Sequence, residues 1–237
     1  MAKVDRVAQI LAEVQESTTD GRGFADHLVR IGRDAMDVTG VGLSLMTGAG
    51  PSAVVAATEG TAQIIEDLQF NLGEGPCVDS VKSGRPVLHG DLAETASQLW
   101  PGFTAGALDA GVAAVFAFPL QVGAIMLGAL DLSRDTAGPL ADADVREAVA
   151  LSGAATALLL HLQMSSVPGE VPIDLADRLI DRAVVHQASG MIAVQMDADL
   201  ADALTVLRAR AFSSGRPIID VARDVVARNL RFNHDDA

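Results

Sequence analysis

The sequence predicts a mixed α/β domain of about 165 residues followed by a small domain built only of helices. Short apolar runs bounded by turn residues, the signature of strands, occur only in the first part of the chain. The segment SSVPGEVP at 165–172 has the composition of a linker, and only helical patterns follow it. With 237 residues, 49 % of them apolar, the chain is long enough to form a core in each domain.

The first domain begins with two helical patterns, at 4–16 and 24–38, in which apolar residues recur every three or four positions. Apolar runs at 40–46 and 52–58 surround the turn sequence GAGP at 48–51, which predicts a hairpin. Three further helical segments are predicted: 62–70, a short helix over 76–82, and one that contains Trp100, the only tryptophan.

The stretch from Gly111 to Leu130 contains no charged residue, and its length would suit a transmembrane helix. Three glycines, a proline and a glutamine interrupt it, and neither end carries basic or aromatic anchors. Two buried strands joined by a turn at Gln121–Gly123 are the better interpretation, so we predict no membrane association. A long helix over 142–163 completes the first domain.

The second domain carries three helical patterns, at 174–195, 200–211 and 218–226. Gly215 follows the second pattern and Pro217 begins the third, which are the preferred positions of these residues at helix ends. The predicted domains are therefore 1–165 and 174–237, with a linker at 166–173.

The net charge of −14 is distributed unevenly between these domains. Residues 1–170 hold 9 basic and 21 acidic residues, a net charge of −12, whereas residues 171–237 hold 8 and 10, a net charge of −2. The acidity of the whole chain argues against indiscriminate nucleic-acid binding. All basic residues of the second domain are arginines, which suits contacts with phosphates or bases and equally suits the codon usage of a GC-rich genome.

The residues that commonly carry catalysis form no recognisable motif. Cys77 is the only cysteine, so no internal disulfide forms, and a reducing, cytoplasmic location is expected. The five histidines lack metal-ligand spacing, and neither a phosphate-binding loop nor a GxSxG motif occurs. We predict no metal site and no enzymatic activity. Cys77 begins a short predicted helix and is either a reactive thiol or a small buried apolar residue.

Arginines are the most informative residues of the second domain. Arg178 and Arg182 lie four residues apart and share a helix face, and Arg208 and Arg216 lie near the end of the second helix. Phe212 and Phe232 are its only aromatic residues. Three short helices with clustered arginines suit either nucleic-acid binding or a helical dimer module, and charge alone does not choose between them.

Residues 186–226 resemble the ANTAR domain, a three-helix RNA-binding module of transcription antiterminators. The matching elements are ASGMI at 188–192, ALTVLRARA at 203–211, GRP at 215–217 and DVA at 220–222, in the family's order. Arg182 matches an arginine that usually precedes the first element, and Ser189 stands where the family has lysine. The resemblance implies RNA stem-loops as partners, and the RNA-binding residues that we predict are Arg178, Arg182, Ser189, Gly190, Arg208 and Arg216.

Residues 20–165 resemble the GAF domain, which folds as an antiparallel sheet with helices on its faces. The resemblance rests on LGEGPCVDSVKSGRPV at 72–87, Asp91-Leu92, WPGF at 100–103 and FPLQVGAIMLGALDL at 118–132. It implies an α+β fold and, as in many GAF domains, a pocket for a small ligand. A cyclic nucleotide, haem, a small metabolite, or no ligand with the domain serving as a dimer scaffold all stay open. The apolar candidates for lining that pocket, each also a plausible core residue, are Met46, Phe70, Cys77, Trp100, Phe103, Phe116 and Phe118.

Together the two resemblances imply a signal-responsive antitermination regulator that acts as a homodimer. The apolar stripes of the first helix and of the helix at 142–163 are expected to pair between subunits. Two alternatives stay open: a sensory or dimerisation scaffold whose helical tail does not bind RNA, and a DNA-binding regulator that uses three helices as a helix-turn-helix protein does.

Overall fold

A computed structural model describes residues 2–17, 23–47, 50–164 and 173–232, with their side chains except at 2–4, 162–164 and 173–181. Residues 48–49 of the predicted hairpin turn and the predicted linker at 165–172 lie outside the described residues. The domain boundaries around that linker therefore stay predictions.

The first domain combines helices and strands, and the second contains helices. The first domain's elements are α1 (Ala2–Glu16), α2 (Phe24–Ala35), β1 (Gly40–Thr47), β2 (Gly50–Ala57), α3 (Thr61–Leu72), α4 (Pro76–Ser83), β3 (Val87–His89), α5 (Leu92–Thr95), α6 (Pro101–Asp109), β4 (Ala114–Val122), β5 (Ile125–Arg134) and α7 (Asp142–Met164). The second domain's elements are α8 (Ile173–Met196), α9 (Leu200–Ser214) and α10 (Ile218–Val226).

The five strands form one antiparallel sheet in the order β2-β1-β5-β4-β3, which confirms the predicted α+β class. β4 and β5 pair along the uncharged stretch, so its interpretation as two strands is confirmed. The turn between them is Gly123–Ala124, slightly later than predicted, because β4 continues to Val122. Among the described residues, the structure contains no helix with the length and apolar character needed to cross a membrane.

Two short elements and two helix boundaries differ from the predictions. β3 and α5 are not predicted from sequence; α5 is a single turn in which the Asp91 carboxylate accepts a hydrogen bond from the Glu94 backbone N–H at 3.1 Å. The second helix ends at Ala35 rather than at residue 38, because Met36 adopts an extended backbone conformation. Trp100 precedes α6 as its N-cap residue instead of lying within the helix.

Helices cover both faces of the sheet. α2 and α7 cover one face and enclose the largest apolar core, with Leu43, Phe116, Leu130 and Leu151 fully buried. α3 and α4 cover the other face.

α1 packs on α7 within the same chain, and its Arg6 guanidinium pairs with the Glu147 carboxylate at 2.6 Å. Ile10 and Val14 of α1 are buried in this core, whereas Val7 and Leu11 of the same apolar stripe are only partly buried.

The second domain closes around its own apolar core. Ile192 of α8, Leu207 of α9 and Val225 of α10 are buried together. The Asp199 carboxylate caps α9 by accepting a hydrogen bond from the Asp202 backbone N–H at 2.8 Å, and Gly215 ends that helix in the left-handed conformation. The three predicted helices are thus confirmed in order, and α8 packs on β2 and α9 on α3 of the first domain.

Candidate functional site

The face of the sheet beneath α3 is unusually polar for a domain interior. Ser44 of β1 and Asp131 and Ser133 of β5 occupy alternate strand positions that point toward α3. All three are at least 96 % buried, since their relative exposures are 2 %, 4 % and 2 %. α3 adds Glu66 and Gln69, which are equally buried. These five residues are called the buried polar cluster below.

Glycine 42 makes room for one of the carboxylates. A Cβ atom at Gly42 would lie 2.0 Å from Glu66 Oε1, so only glycine permits this side chain to lie over β1. Each residue of the cluster has at least one buried polar atom that makes no well-formed hydrogen bond among the described residues. The Asp131 carboxyl nevertheless lies close enough to Glu66, Gln69 and Ser44 for these side chains to favour its ionised form by hydrogen bonding. Buried polar atoms with poorly formed hydrogen bonds carry a desolvation cost.

Burial also changes the acidity of this cluster. It raises the pKa of the Asp131 carboxyl to about 7, although the neighbouring polar side chains of Glu66, Gln69 and Ser44 oppose the rise. The pKa of Glu66 is raised well above its ordinary value by burial first and by the Asp131 carboxylate second. At neutral pH the two carboxyl groups therefore resist carrying two negative charges.

Cys77 lies against this cluster. Its backbone N–H donates a hydrogen bond to the Gln69 side-chain oxygen at 2.8 Å, and its thiol is completely buried. Burial, followed by the Asp131 and Glu66 carboxylates, raises the pKa of the thiol well above its ordinary value. A reactive thiol needs a lowered pKa, so the structure favours the buried, unreactive alternative.

In the described parts of the chain, no three potential ligand side chains are arranged to hold a metal ion.

A neighbouring face of α3 meets the second domain, where it contacts Arg182. The guanidinium carbon of Arg182 lies 3.9 Å from the centroid of the Phe70 ring, and its Nη2 lies 2.6 Å from Asp67 Oδ1. Arg182 is only 7 % exposed. Its guanidinium thus combines an ion pair with a cation–π contact, both made to residues of the first domain.

Arg208 of α9 meets the end of the same helix. Its Nε donates a hydrogen bond to the Phe70 backbone carbonyl at 3.1 Å. Its guanidinium lies over Gly73, where a Cβ atom would be 2.5 Å from Nη1. Its Nη2 is buried and has no partner within the described segments, and burial lowers the pKa of the guanidinium to about 10. Arg208 is therefore held in a site that leaves one of its hydrogen-bond donors without a partner in the described part of the structure.

Phe70 joins the two domains. It is 1 % exposed and packs with the apolar core of α8, α9 and α10 rather than with the cores of its own domain. A hydrogen bond of 3.1 Å between His186 Nε2 and the Ser52 carbonyl of β2 adds a second point of contact. Asp67, Phe70 and Gly73 with Arg182 and Arg208 are called the interdomain contact below.

Two family models match the chain. A model described as GAF domain matches residues 18–159, and a model described as ANTAR domain matches residues 174–226. The chain belongs to the GAF family and carries an ANTAR domain. These matches confirm both resemblances inferred from the sequence motifs, in the same order along the chain. The interdomain contact therefore joins helix α3 of the GAF domain to the ANTAR helices α8 and α9.

Solved structures confirm the GAF fold. The GAF domain of a phosphoenolpyruvate-protein phosphotransferase from Coxiella burnetii is 14 % identical, with a TM-score of 0.52 over 68 % of this chain and 95 % of that one. The corresponding domain from Acinetobacter is also 14 % identical, with a TM-score of 0.52 over 69 % and 96 %. At this identity the similarity shows the fold alone. No curated protein matches the chain in sequence.

The domain pair narrows the class of function. ANTAR domains bind RNA and GAF domains bind small molecules; both are regulatory rather than catalytic modules, and neither match is to an enzymatic domain. The GAF–ANTAR arrangement fits a sensor-regulated antitermination regulator in general.

The structure separates the predicted RNA-binding residues into different settings. Arg182 and Arg208 come together at α3, whereas the exposed Arg216 pairs with Asp224 of α10 at 2.9 Å. Ser189 is buried, and its hydroxyl donates to the Val185 carbonyl at 2.9 Å. Gly190 is half-buried, with open space where a Cβ atom would be. The side chain of Arg178 is not among the described residues.

The predicted pocket residues are buried but do not form one group. Phe116 and Phe118 belong to the core beneath α2 and α7, on the face of the sheet opposite α3. Trp100 and Phe103 pack with each other and with α5 and α3, with ring centroids 5.9 Å apart. Met46 and Cys77 form a small cluster with α4. Phe70 lies between the domains.

Sequence reasoning missed the buried polar cluster and the role of α3. Ser44 and Asp131 do interrupt otherwise apolar strands at alternate positions, which is a signal for polar groups on one face. Nothing in the sequence indicates that Glu66 of a separate helix faces them. The interdomain contact joins residues 115 and 138 positions apart, which local patterns do not reveal.

Proposed function

We propose that this protein is a signal-responsive transcription antitermination regulator whose GAF domain controls the binding of RNA stem-loops by its ANTAR domain. The observation that carries the proposal is the direct contact between GAF helix α3 and Arg182 and Arg208 of the ANTAR domain. These are two of the arginines that we predict to bind RNA. A change in the position of α3 would therefore alter the accessibility of both.

The exposed surface of the ANTAR domain supports RNA as its partner. Phe212 on α9 is 71 % exposed, whereas Phe232, the domain's other aromatic residue, is buried. Arg210 and Arg216 are exposed near Phe212 along the chain. An exposed aromatic ring among arginines can stack an unpaired base while the guanidinium groups contact phosphates, as recognition of RNA loops requires.

The buried polar cluster supports a small polar ligand. It includes Glu66 Oε1 and both carboxyl oxygens of Asp131, which make no well-formed hydrogen bond among the described residues. Because the pKa of both carboxyl groups is raised, the pair retains a proton at neutral pH and can donate as well as accept hydrogen bonds. Glu66 and Gln69 lie on the same helix as Asp67 and Phe70. A ligand that moves α3 would therefore act on the ANTAR domain without an intermediate element.

We further propose that the protein acts as a homodimer in the cytoplasm, where leader transcripts are made. A dimer would present two ANTAR domains to paired stem-loops and so prevent a terminator hairpin from forming. α1 and α7 pack on each other within one chain, and their residues Val7, Leu11, Val145 and Val149 stay partly exposed, so pairing of these helices between subunits stays a prediction. Sedimentation of the full chain with and without RNA measures this assembly.

The proposal is tested by binding of the full-length protein to a pool of RNAs with two tandem hairpins and randomised loops. A pool of the same composition without hairpins and duplex DNA serve as comparisons, each over a range of salt concentrations. We expect a preference of about tenfold or more for the hairpins, retained as salt is raised, because specific contacts add to the electrostatic term. Equal binding of all three probes would contradict RNA recognition.

A sensory scaffold whose tail does not bind RNA is the second candidate. Ser189, in the place of the family's lysine, is buried, and Arg182 is held by the GAF domain. Failure of every probe to bind, with the dimer intact, would favour the scaffold. Preference for duplex DNA would instead favour the DNA-binding regulator.

A further inference from the structure

The outer face of α3 offers Arg182 and Arg208 three kinds of contact. Asp67 supplies a carboxylate to Arg182, Phe70 supplies an aromatic ring to the same guanidinium, and the Phe70 carbonyl accepts a hydrogen bond from Arg208. Arginines that bind RNA use the same three contacts: an anionic oxygen, a flat π surface and an acceptor on a base edge. The correspondence is chemical, and it involves the two arginines that we predict to bind RNA.

We propose that the α3 face formed by Asp67, Phe70 and Gly73 is an internal competitor that occupies Arg182 and Arg208 in place of RNA. This inference rests on the proposed function and specifies how it is regulated. In the arrangement seen here the two arginines are engaged by the GAF domain. RNA gains them only when α3 separates from α8 and α9.

The contact is suited to release because it satisfies Arg208 incompletely. Nη2 of Arg208 is buried and lacks a hydrogen-bond partner within the described residues, although Nε is bonded. A buried, unpaired donor on a charged group is costly. RNA phosphates or base acceptors can satisfy all the donors of a guanidinium, so the exchange of partners favours RNA at this residue.

The charge of the GAF domain reinforces the competition. The first 170 residues carry a net charge of −12, and the ANTAR domain is held against them in this arrangement. A phosphate backbone that approaches Arg182 must therefore also approach an acidic surface. Separation of the domains would remove the α3 face from the arginines and would also reduce the repulsion between the acidic GAF surface and the RNA phosphates.

The first test removes the carboxylate that pairs with Arg182. The side chain of Asp67 is 59 % exposed, so Asp67→Asn keeps the fold while it replaces an ion pair with a weaker neutral contact. We expect the full-length variant to bind a tandem-hairpin RNA, selected with the wild-type protein, about three- to tenfold more tightly than wild type. Asp135→Asn is the matched control, because it removes the same charge from an exposed bend after β5.

A second measurement reports the contact without RNA. An arginine-specific dicarbonyl reagent, with mass-spectrometric readout, should modify Arg182 and Arg208 severalfold more slowly than the exposed Arg210 in wild type. Asp67→Asn should raise the rate at Arg182, and Asp135→Asn should not. Equal rates at Arg182, Arg208 and Arg210 in wild type would show that the contact does not form in solution and would overturn the inference.

The two readouts separate this inference from the proposed function. If Asp67→Asn exposes Arg182 to the reagent but binds the RNA no more tightly than Asp135→Asn does, the competition is wrong while RNA binding stands. If neither wild type nor Asp67→Asn prefers hairpin RNA over the unstructured pool, the proposed function fails and the competition fails with it. The labelling pattern then still decides whether α3 holds the arginines.

Discussion

The two faces of the GAF sheet bury very different groups. Between the sheet and α2 and α7, the interior is apolar and contains fully buried side chains such as Leu43, Phe116 and Leu151. Between the sheet and α3, the interior includes two carboxyl groups and other polar atoms without partners in the described part of the structure. The first face therefore stabilises the fold, whereas the second accepts a cost in stability.

This difference indicates where a signal can act. α3 carries the buried polar cluster and the interdomain contact on neighbouring faces, with Glu66 next to Asp67 and Gln69 next to Phe70. A ligand that satisfies the cluster would stabilise one position of α3, and that position determines whether Arg182 and Arg208 stay engaged. The contacts described above between the GAF and ANTAR domains are made by α3 and β2.

The largest expected effect is on the apolar face. Leu151 is completely buried, and its Cδ2 lies 2.4 Å from where a Cβ atom at Gly32 would be. Leu151→Ala should lower the free energy of unfolding by about 2–5 kcal/mol, because it removes buried methyl groups and leaves a cavity. Urea denaturation measures this loss, which should be the same at pH 5 and pH 8. A loss below about 1 kcal/mol would show that this face is not the stabilising one.

On the polar face, Asp131→Asn should have an effect that depends on pH. The Asp131 pKa is raised to about 7, so the folded state holds a proton that the unfolded chain releases near pH 4, and stability is lost as pH rises between these values. Asparagine does not titrate. The stability of the variant relative to wild type should therefore increase by about 1–3 kcal/mol from pH 4 to pH 8.

The pH dependence is measured by denaturation of both proteins across that range, with the exposed Asp135→Asn as the control. An effect of Asp131→Asn that is independent of pH would show that the carboxyl ionises normally. Burial would then not raise the pKa of the Asp131 carboxyl.

The smallest expected effect compares two buried hydroxyl groups. Thr58 Oγ1 accepts a hydrogen bond from the Val41 backbone N–H at 3.0 Å, whereas Ser44 Oγ makes no well-formed hydrogen bond among the described groups and only approaches the Asp131 carboxyl. Thr58→Val should cost about 1–3 kcal/mol, because it leaves that N–H unsatisfied. Ser44→Ala should change stability by less than about 0.5 kcal/mol or increase it. Equal losses in thermal unfolding would mean that Ser44 is bonded in solution.

Much of the fold follows from local patterns, for reasons visible in particular residues. Glycines and a proline within an uncharged stretch predict β4 and β5, and Gly215 and Pro217 delimit the ANTAR helices. β3 and α5 escape prediction because three and four residues carry too little periodicity, and β3 depends on its pairing with β4.

The candidate site is less predictable because it depends on contacts between distant segments. Arg178 and Arg182 are expected to share a helix face that binds RNA, yet Arg182 is buried by Asp67 and Phe70, more than 100 residues earlier in the chain. The polar cluster likewise brings Ser44, Glu66 and Asp131 together from three elements. Composition and spacing report which residues are present, but tertiary packing decides which of them meet.

The competition between α3 and RNA is tested most directly by a substitution that changes no charge. Gly73→Asn places a side chain where the Arg208 guanidinium lies, and Gly123→Asn is the matched control at a position with similar backbone conformation and open space. Asparagine tolerates the left-handed conformation of both positions, where φ is +69° and +60°. Displacement of Arg208 from α3 should make it available to RNA.

We predict that full-length Gly73→Asn binds the tandem-hairpin RNA at least about fivefold more tightly than Gly123→Asn, which corresponds to about 1 kcal/mol. Both variants should retain wild-type circular dichroism, so that the comparison reports accessibility rather than folding. Equal or weaker binding by Gly73→Asn would contradict the claim that α3 and RNA compete for Arg208.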